Sequence, residues 1–529
     1  MTFPRIRPVG DAALTVELGD ALDPATNARV RGLDDELAGS SFDGFREAVP
    51  THRSLLVLYD PSVARYGTLA RDLLARAVRG TAAAPTGRRH DVPAVYGGKD
   101  GPDLAPLARG RGLSEADFVR LHAGSEYTVF MLGFTPGFAY LGLVPEALES
   151  SRQPTPRVRV PAGSVALAGR LTGIYPVASP GGWQLIARTS LRLFDPLRAE
   201  PALFAPGDRV RFVPVAELPP VEPASPAPVR PGPGAVEVID PGLLTSVQGA
   251  GRARHRRIGV AEAGPMDAHG LATANGAVGN PPGAAALECT VAGPALAFLA
   301  PLRFAVSGAD LGAVLERADL GAWAVPLGAS VLARPGNVLR FTGRRSGCRA
   351  YLAFQGGIDV PAVLGSQSTD LHSGFGGLAG RALRGGERIA VQAATGDATR
   401  HAARPERHAP SVTVRVVLGP QADHFDPETT ARFLSSPWRV GSTSDRVGSR
   451  LEGEPLRHLG PAEILSDGMV PGSIQVPPDG QPIVMAADGP TTGGYPKIAT
   501  VVTADLPVLA QLVPGEGEVR FEAVGVEDL

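Results

Sequence analysis

The sequence predicts a mainly β protein with a small α/β unit at its N-terminus, its β part duplicated across a proline-rich linker. Three observations carry that expectation. Gly (66) and Pro (51) are abundant along the 529 residues and punctuate many short apolar runs. A short cassette recurs, VPAGSV with TGIYP in residues 160–176 and VPGSI with TGGYP in residues 470–496. Between the copies lies ELPPVEPASPAPVRPGPG (217–234), too rich in proline for a β ladder and suited to an extended spacer.

Residues 1–80 read as the α/β unit. A strand near Ala13–Leu18 precedes a helix after Asp23-Pro24, where Pro suits the first helical position. Ser54–Tyr59 reads as a buried strand and Pro61–Val78 as an amphipathic helix, before the loose stretch TAAAPTGRRH. Residues 90–216 form a second unit, with helical patterns near Leu104–Arg109 and Ser114–His122 and a strand at Tyr127–Leu132. Short strands then run to Arg209–Val213. Beyond the linker, residues 235–400 are β-rich with one helix at Met266–Val278, and 394–410 reads as a second, shorter linker. Residues 411–529 make a last β-rich unit with a helix near Pro427–Leu434.

Composition narrows the function classes. Hydrophobic residues at 43% and charged residues at 20% describe an ordinary globular chain, long enough for roughly three or four cores. A net charge of −2 gives no reason to expect nucleic acid or a membrane surface as partner. The N-terminus has no apolar signal core and no run of 18 apolar residues occurs, so the expected location is the cytoplasm. Cys289 and Cys348 read as buried thiols in a reducing compartment. There is no phosphate-cradling G-x-x-x-x-G-K-[ST] loop, no zinc-finger spacing and no H-E-x-x-H, so no metal site is expected. Lys99 and Lys497 are the only lysines among 51 basic residues, and neither is flanked by methionine; covalently attached biotin is not expected, and biotin chemistry would need a carrier partner.

Four constellations could carry chemistry. In FMLGFTPGFAYLG (130–142) a strand ends in an aromatic turn, where Phe134, Phe138 and Tyr140 either line a pocket mouth or pack on a barrel end. In PRVRVPAGSVALAGRLTGIYP (156–176), Arg157 and Arg159 share a strand face and offer two guanidinium forks to a carboxylate or phosphate; the alternative is a solvated face. Ser164, Thr172, Tyr175 and, in SPGGWQL, Gln184 complete that candidate binding set. In ADGPTTGGYPKIAT (487–500), Asp488, Thr491, Thr492, Gly493, Gly494, Tyr495 and Lys497 crowd together, where glycines admit a ligand to the backbone and Lys497 supplies a compact ammonium; a plain tight turn is the alternative. The first cassette carries Val177 where the second carries Lys497, so the charge is expected to act from the second copy. In STSDRVGSR (442–450), Arg446 or Arg450 either reaches the same anion or forms a surface pair with Asp445, and GSQSTDLHSGFGG (365–377) is a comparable Ser/Thr/Gly loop.

These segments resemble a known family. GFTPGFAYLG, PRVRVPAGSV and TGIYPVASPGGWQL look like the smaller subunit of bacterial ATP-dependent 5-oxoprolinase, the allophanate-hydrolase subunit 1 or kinase-inhibitor type. DPGLLTSVQGAGR, FQGGIDVPAVLGSQSTD, SDRVGSRLEG and DGPTTGGYPKIATV look like that enzyme's other small subunit, the subunit 2 or biotin-dependent carboxyltransferase type. The resemblance covers nearly the whole chain, and Leu171 and Gln367 depart from the family's usual Gln and Arg. It implies cyclophilin-like β-barrels, ATP with Mg2+ as cofactor, a large hydrolase subunit as partner, and a lactam or urea-like substrate; self-association is left open. The leading expectation is opening of 5-oxoproline to glutamate, with Lys497 and the Thr491–Gly494 backbone clamping oxygen, Asp488 as base or metal ligand, and Arg157, Arg159 or Arg446 holding the carboxylate. Carboxyl transfer from carboxybiotin to a urea-like amide is one alternative. A non-enzymatic module that inhibits a sensor histidine kinase is the other.

Overall fold

The computed structural model describes residues 2–80, 82–83, 87–221, 225, 234–394, 396–398 and 407–529. Most of the 217–234 linker and the centre of the 394–410 linker lie outside the described residues. The N-terminal unit is a four-stranded antiparallel sheet in the order Arg5–Pro8, Ala13–Glu17, Ser54–Tyr59, Phe45–Pro50. Its first helix, Pro24–Gly39, starts where expected because the Asp23 carboxylate accepts from Thr26 N at 2.7 Å with Pro24 next in line. That helix buries Val30, Leu33 and Leu37 against Leu14 and Val57, and the second, Tyr66–Arg79, adds Leu69 and Leu73.

Each half of the chain then closes a seven-stranded barrel. The first runs Arg89–Tyr96, Gln184–Arg188, Ser164–Ala168, Leu171–Ile174, Ala139–Gly142, Glu126–Leu132 and Arg209–Pro214, which closes in parallel on the starting strand. The second runs Ser411–Leu418, Lys497–Val501, Ser473–Gln475, Ile483–Met485, Gly448–Glu452, Trp438–Val440 and Glu518–Ala523, again closing in parallel. The two orders match strand for strand. Between them, the strands from Val236–Asp240 to Arg388–Ile389 form a six- and a five-stranded sheet that share one core, with Val238, Leu296 and Leu315 from one sheet facing Val247, Leu287 and Leu352 from the other.

The barrels correct the sequence repeat. VPAGSV and VPGSI are equivalent: both turn on a glycine with positive φ, Gly163 at 80° and Gly472 at 88°, and enter matching strands. TGIYP and TGGYP are not. TGIYP lies on Leu171–Ile174, whose counterpart is Ile483–Met485, whereas TGGYP leads into Lys497–Val501, the counterpart of Gln184–Arg188. The equivalent of TTGGYPK (491–497) is therefore SPGGWQL (179–185). Both glycine pairs adjoin a two-stranded ribbon, Ser179–Gly181 on Arg157–Val160 and Thr492–Gly493 on Asp467–Gly468. Both lead to the same irregularity in the ladder, after Leu185 opposite Ala166 and after Lys497 opposite Gln475. The counterpart of Lys497 is Leu185, not Val177.

Candidate functional site

The second glycine loop sits where the two halves meet. Phe134, in the aromatic turn of the first barrel with φ 66°, donates its backbone N–H to Thr492 Oγ1 at 2.9 Å. A Cβ on Gly133 would lie 2.2 Å from that hydroxyl, so the approach requires glycine. Gly468 is likewise packed on Leu56 of the N-terminal sheet, where a Cβ would lie 2.7 Å from the Leu56 side chain. Asn27 ties that unit to the first barrel by donating to the carbonyls of Thr51 and Phe130. The junction is thus built from three units with backbone-level fit.

Lys497 is fully buried, and its ammonium lies 3.3 Å from Asp467 Oδ2. Asp467 also accepts from Ser54 Oγ of the N-terminal sheet at 2.5 Å and from Gln421 at 3.3 Å. Burial pushes the Asp467 carboxyl up, but Lys497 and Arg53 outweigh it and hold the group below the ordinary range. His52 beside it is fully buried, has no hydrogen-bond partner on either ring nitrogen among the described residues, and is driven down to about 3 by desolvation.

The other expected residues separate into groups. Thr491 is buried with its hydroxyl unpartnered, next to Thr492 in the junction. Gly493 packs on Gln475 and Met469, while Gly494 and the half-buried Tyr495 face Arg152 at the rim. In the first barrel, Tyr175, Phe138, Tyr140 and Trp183 form an edge-to-face aromatic cluster, and the Gly181 backbone rests on the Tyr175 hydroxyl. Thr172 bonds His122 Nε2 at 3.0 Å, Ser164 is buried in its strand, and Gln184 bonds Gln153 and Ser151. Arg157 and Arg159 do not act as a fork: Arg157 bonds both oxygens of Asp103, at 2.7 and 2.9 Å, and Arg159 is exposed. Leu171 is buried in the aromatic cluster, and Gln367 donates to the Val360 carbonyl.

Arg446 and Asp488 are engaged with each other. Arg446 is buried, bonds both Asp488 oxygens at 3.0 and 2.8 Å, and also reaches Glu288 at 2.5 Å and the Gly264 carbonyl at 2.7 Å. Burial pushes Asp488 up while Arg446 pulls against it. This knot fastens the sandwich to the second barrel and leaves neither side chain free for a substrate.

Beside it is a pair the sequence reading did not single out. Arg252 is 1% exposed, lies 4.7 Å over the Phe375 ring and donates one Nη2 bond to the Ser368 carbonyl, yet its Nε and Nη1 find no partner among the described residues. Asp370, fully buried, has Oδ2 equally unpartnered. Burial lowers the guanidinium's proton affinity, while Asp370 and Asp488 nearby oppose that. Gly376, at φ 76°, makes room, since a Cβ there would lie 2.1 Å from Arg252 Nη2. Phe194 of the first half packs on Phe375, so this pocket too borders the junction. Both residues end quoted motifs, QGAGR and GSQSTD, but nothing in local spacing marks one charge as satisfied and another as not. Among the described residues no group of three or more His, Cys, Asp or Glu is placed to hold a metal ion.

This architecture, two like barrels with a shared buried junction, belongs to a described class. The sequence profile of the carboxyltransferase domain matches in two parts, subdomains C and D over residues 4–204 and subdomains A and B over residues 258–523. The chain is a member of the carboxyltransferase-domain family, as a fusion of homologues of the B and C subunits of 5-oxoprolinase. It is 45% identical over 214 residues to the 5-oxoprolinase B subunit of Escherichia coli O157:H7, covering 40% of this chain and 95% of that one. It is 39% identical over 294 residues to the 5-oxoprolinase C subunit of Escherichia coli K12, covering 55% and 92%. Urea amidolyase of Lachancea kluyveri is 34% identical over 310 residues, 54% of this chain but 17% of that enzyme. The crystal structure of TTHA0988 superposes with a TM-score of 0.85 at 36% identity, over 96% of this chain and 99% of that one.

Proposed function

We propose that the chain is the fused B–C component of an ATP-dependent 5-oxoprolinase, opening 5-oxo-L-proline to L-glutamate together with a separate large hydrolase subunit. The tandem match to two named 5-oxoprolinase subunits, each over more than nine-tenths of its length, supports the reaction class. The observation that carries the site is Arg252 beside Asp370. Buried polar atoms without partners cost about 1–3 kcal/mol each, so a pair of opposite charge retained in that state is poised for a ligand. In this reading the free Arg252 donors take the lactam's carboxylate or the charge developing on its carbonyl oxygen, and Asp370 Oδ2 accepts the ring N–H. Burial at the junction strengthens both contacts.

The test is glutamate release from 5-oxoproline and ATP by the chain with its large partner subunit. Arg252→Lys and Asp370→Asn should each lower kcat/KM by about 100-fold or more without unfolding the protein. Full turnover in both variants would sink the site, and no glutamate release from the wild-type mixture would sink the reaction. A second reading is carboxyl transfer to a urea-like amide, favoured by the family profile and the urea amidolyase match. It predicts carboxylation that depends on a biotinylated carrier protein, with the same Arg252 donors on the ureido oxygen.

A further inference from the structure

A cleft of about 450 Å3 opens where the N-terminal sheet, the sandwich and the second barrel meet, among residues that the Arg252–Asp370 reading does not use. Val9 and Leu58 line one wall, Leu271 another, and Val470, Met485 and Leu506 the third. Small residues such as Ala250, Gly251, Ala272 and Gly283 keep the space between them open. The wall offers enough apolar surface to hold a compact hydrocarbon body.

The charges at this cleft are unequal. Arg46 is neutralised by Asp60 at 2.9 Å. Asp11 uses one oxygen to accept from Thr503 N and Oγ1, at 3.0 and 2.8 Å. Glu262 is exposed and makes no salt bridge among the described residues; the buried Arg256 feels its charge but donates to the Met469 carbonyl instead. The buried Thr500 hydroxyl in the wall has no partner among the described residues. Two acidic residues thus line an apolar space where the guanidinium of Arg46 is already paired.

We propose that this cleft binds a small organic ammonium ion, an alkyl or cycloalkyl amine with its hydrocarbon body against the three walls and its N–H donors toward Glu262 and Asp11. The same carboxylates repel anions, which separates this cleft from a site for a lactam carboxylate. Calorimetric titration of the full-length protein with cyclohexylmethylamine and with cyclohexanecarboxylate, similar in size and opposite in charge, tests it. The amine should bind about fivefold or more tightly than the carboxylate, the scale of one partly exposed charge contact. Glu262→Gln should erase most of that preference. Ala272→Leu, which fills the cleft, should weaken the amine, with thermal melting confirming that both variants fold. Equal or tighter binding of the carboxylate, no binding of the amine, or an unchanged preference in Glu262→Gln would overturn the proposal.

Discussion

The two barrels close the same corner with an ion pair of opposite polarity. In the first, the ribbon strand supplies the cation: Arg157 pairs with Asp103, whose other bond receives the Leu185 backbone N–H at 2.6 Å. In the second, the ribbon supplies the anion, Asp467, and the ladder residue equivalent to Leu185 supplies the cation, Lys497; the loop position of Asp103 is held by Gln421, which accepts the Lys497 N–H at 3.2 Å. The surroundings differ as much as the signs. The side chains of Arg157 and Asp103 are 30% and 11% exposed, those of Lys497 and Asp467 0% and 3%, because the N-terminal sheet covers the second corner with Ser54 and Leu56. One fold position can therefore be closed by either polarity, and what lies over it decides how much the pair matters.

The largest expected effect comes from breaking that asymmetry. Lys497→Ala removes the ion-pair partner of the buried Asp467 carboxylate and should destabilise the protein by about 3–5 kcal/mol in urea denaturation. Arg157→Ala, at the partly exposed pair, should cost about 1 kcal/mol or less. Lys497→Leu combined with Asp467→Asn puts an apolar residue at the ladder position as in Leu185, removes both buried charges, and should recover most of the loss. Equal costs at the two corners would show that the N-terminal cover is irrelevant. A fully stable, inactive Lys497→Ala would instead return the ammonium to the chemistry expected from the sequence.

The paired glycine loops sharpen the comparison at smaller scale. A Cβ on Gly181 would meet the buried Tyr175 ring and hydroxyl at 2.3–2.9 Å, atoms wedged in the aromatic cluster. A Cβ on Gly493 would meet the ends of Gln475 and Met469 at 2.3–2.8 Å, which can swing aside. Gly181→Ala should therefore cost about 2 kcal/mol and Gly493→Ala less than half of that, read from shifts in the denaturation midpoint.

Much of this architecture is legible in the sequence, and the boundary is physical. The helix at Pro24–Gly39 and the strand Ser54–Tyr59 follow from a cap and an apolar run, both local. The duplication is visible too, because VPAGSV and VPGSI share a turn that needs glycine. Its second element is misassigned because TGIYP and TGGYP match as letters, whereas strand order, a long-range property, pairs TGGYPK with SPGGWQL. The site residues divide in the same way. Arg446 and Asp488 sit in suggestive motifs yet saturate each other across 42 residues, and Arg252 and Asp370 look ordinary until the fold leaves their atoms unmet. Whether a charge is spent or free depends on partners far away in the chain, so spacing alone does not reveal it.

The smallest effect separates two buried histidines. Both His52 and His122 are held neutral down to about 3 by desolvation. An unfolded imidazole takes up a proton near pH 6.5, so stability from each is complete above that value and drains as pH falls toward 3. Their partners differ: His122 bonds Tyr96 at 2.7 Å and Thr172 at 3.0 Å, whereas the His52 ring stacks edge-to-face on Phe130 and Tyr140 and its nitrogens have no hydrogen-bond partner among the described residues. His52→Phe should therefore change stability at pH 7 by under about 1 kcal/mol while flattening the decline between pH 6.5 and 3. His122→Phe should flatten the same limb but lose more at pH 7, because Thr172 and Tyr96 each forfeit a bond. A large loss at pH 7 in His52→Phe would mean that its ring nitrogens do have a partner, an ordered water at the junction, and would move His52 from packing residue to part of the site.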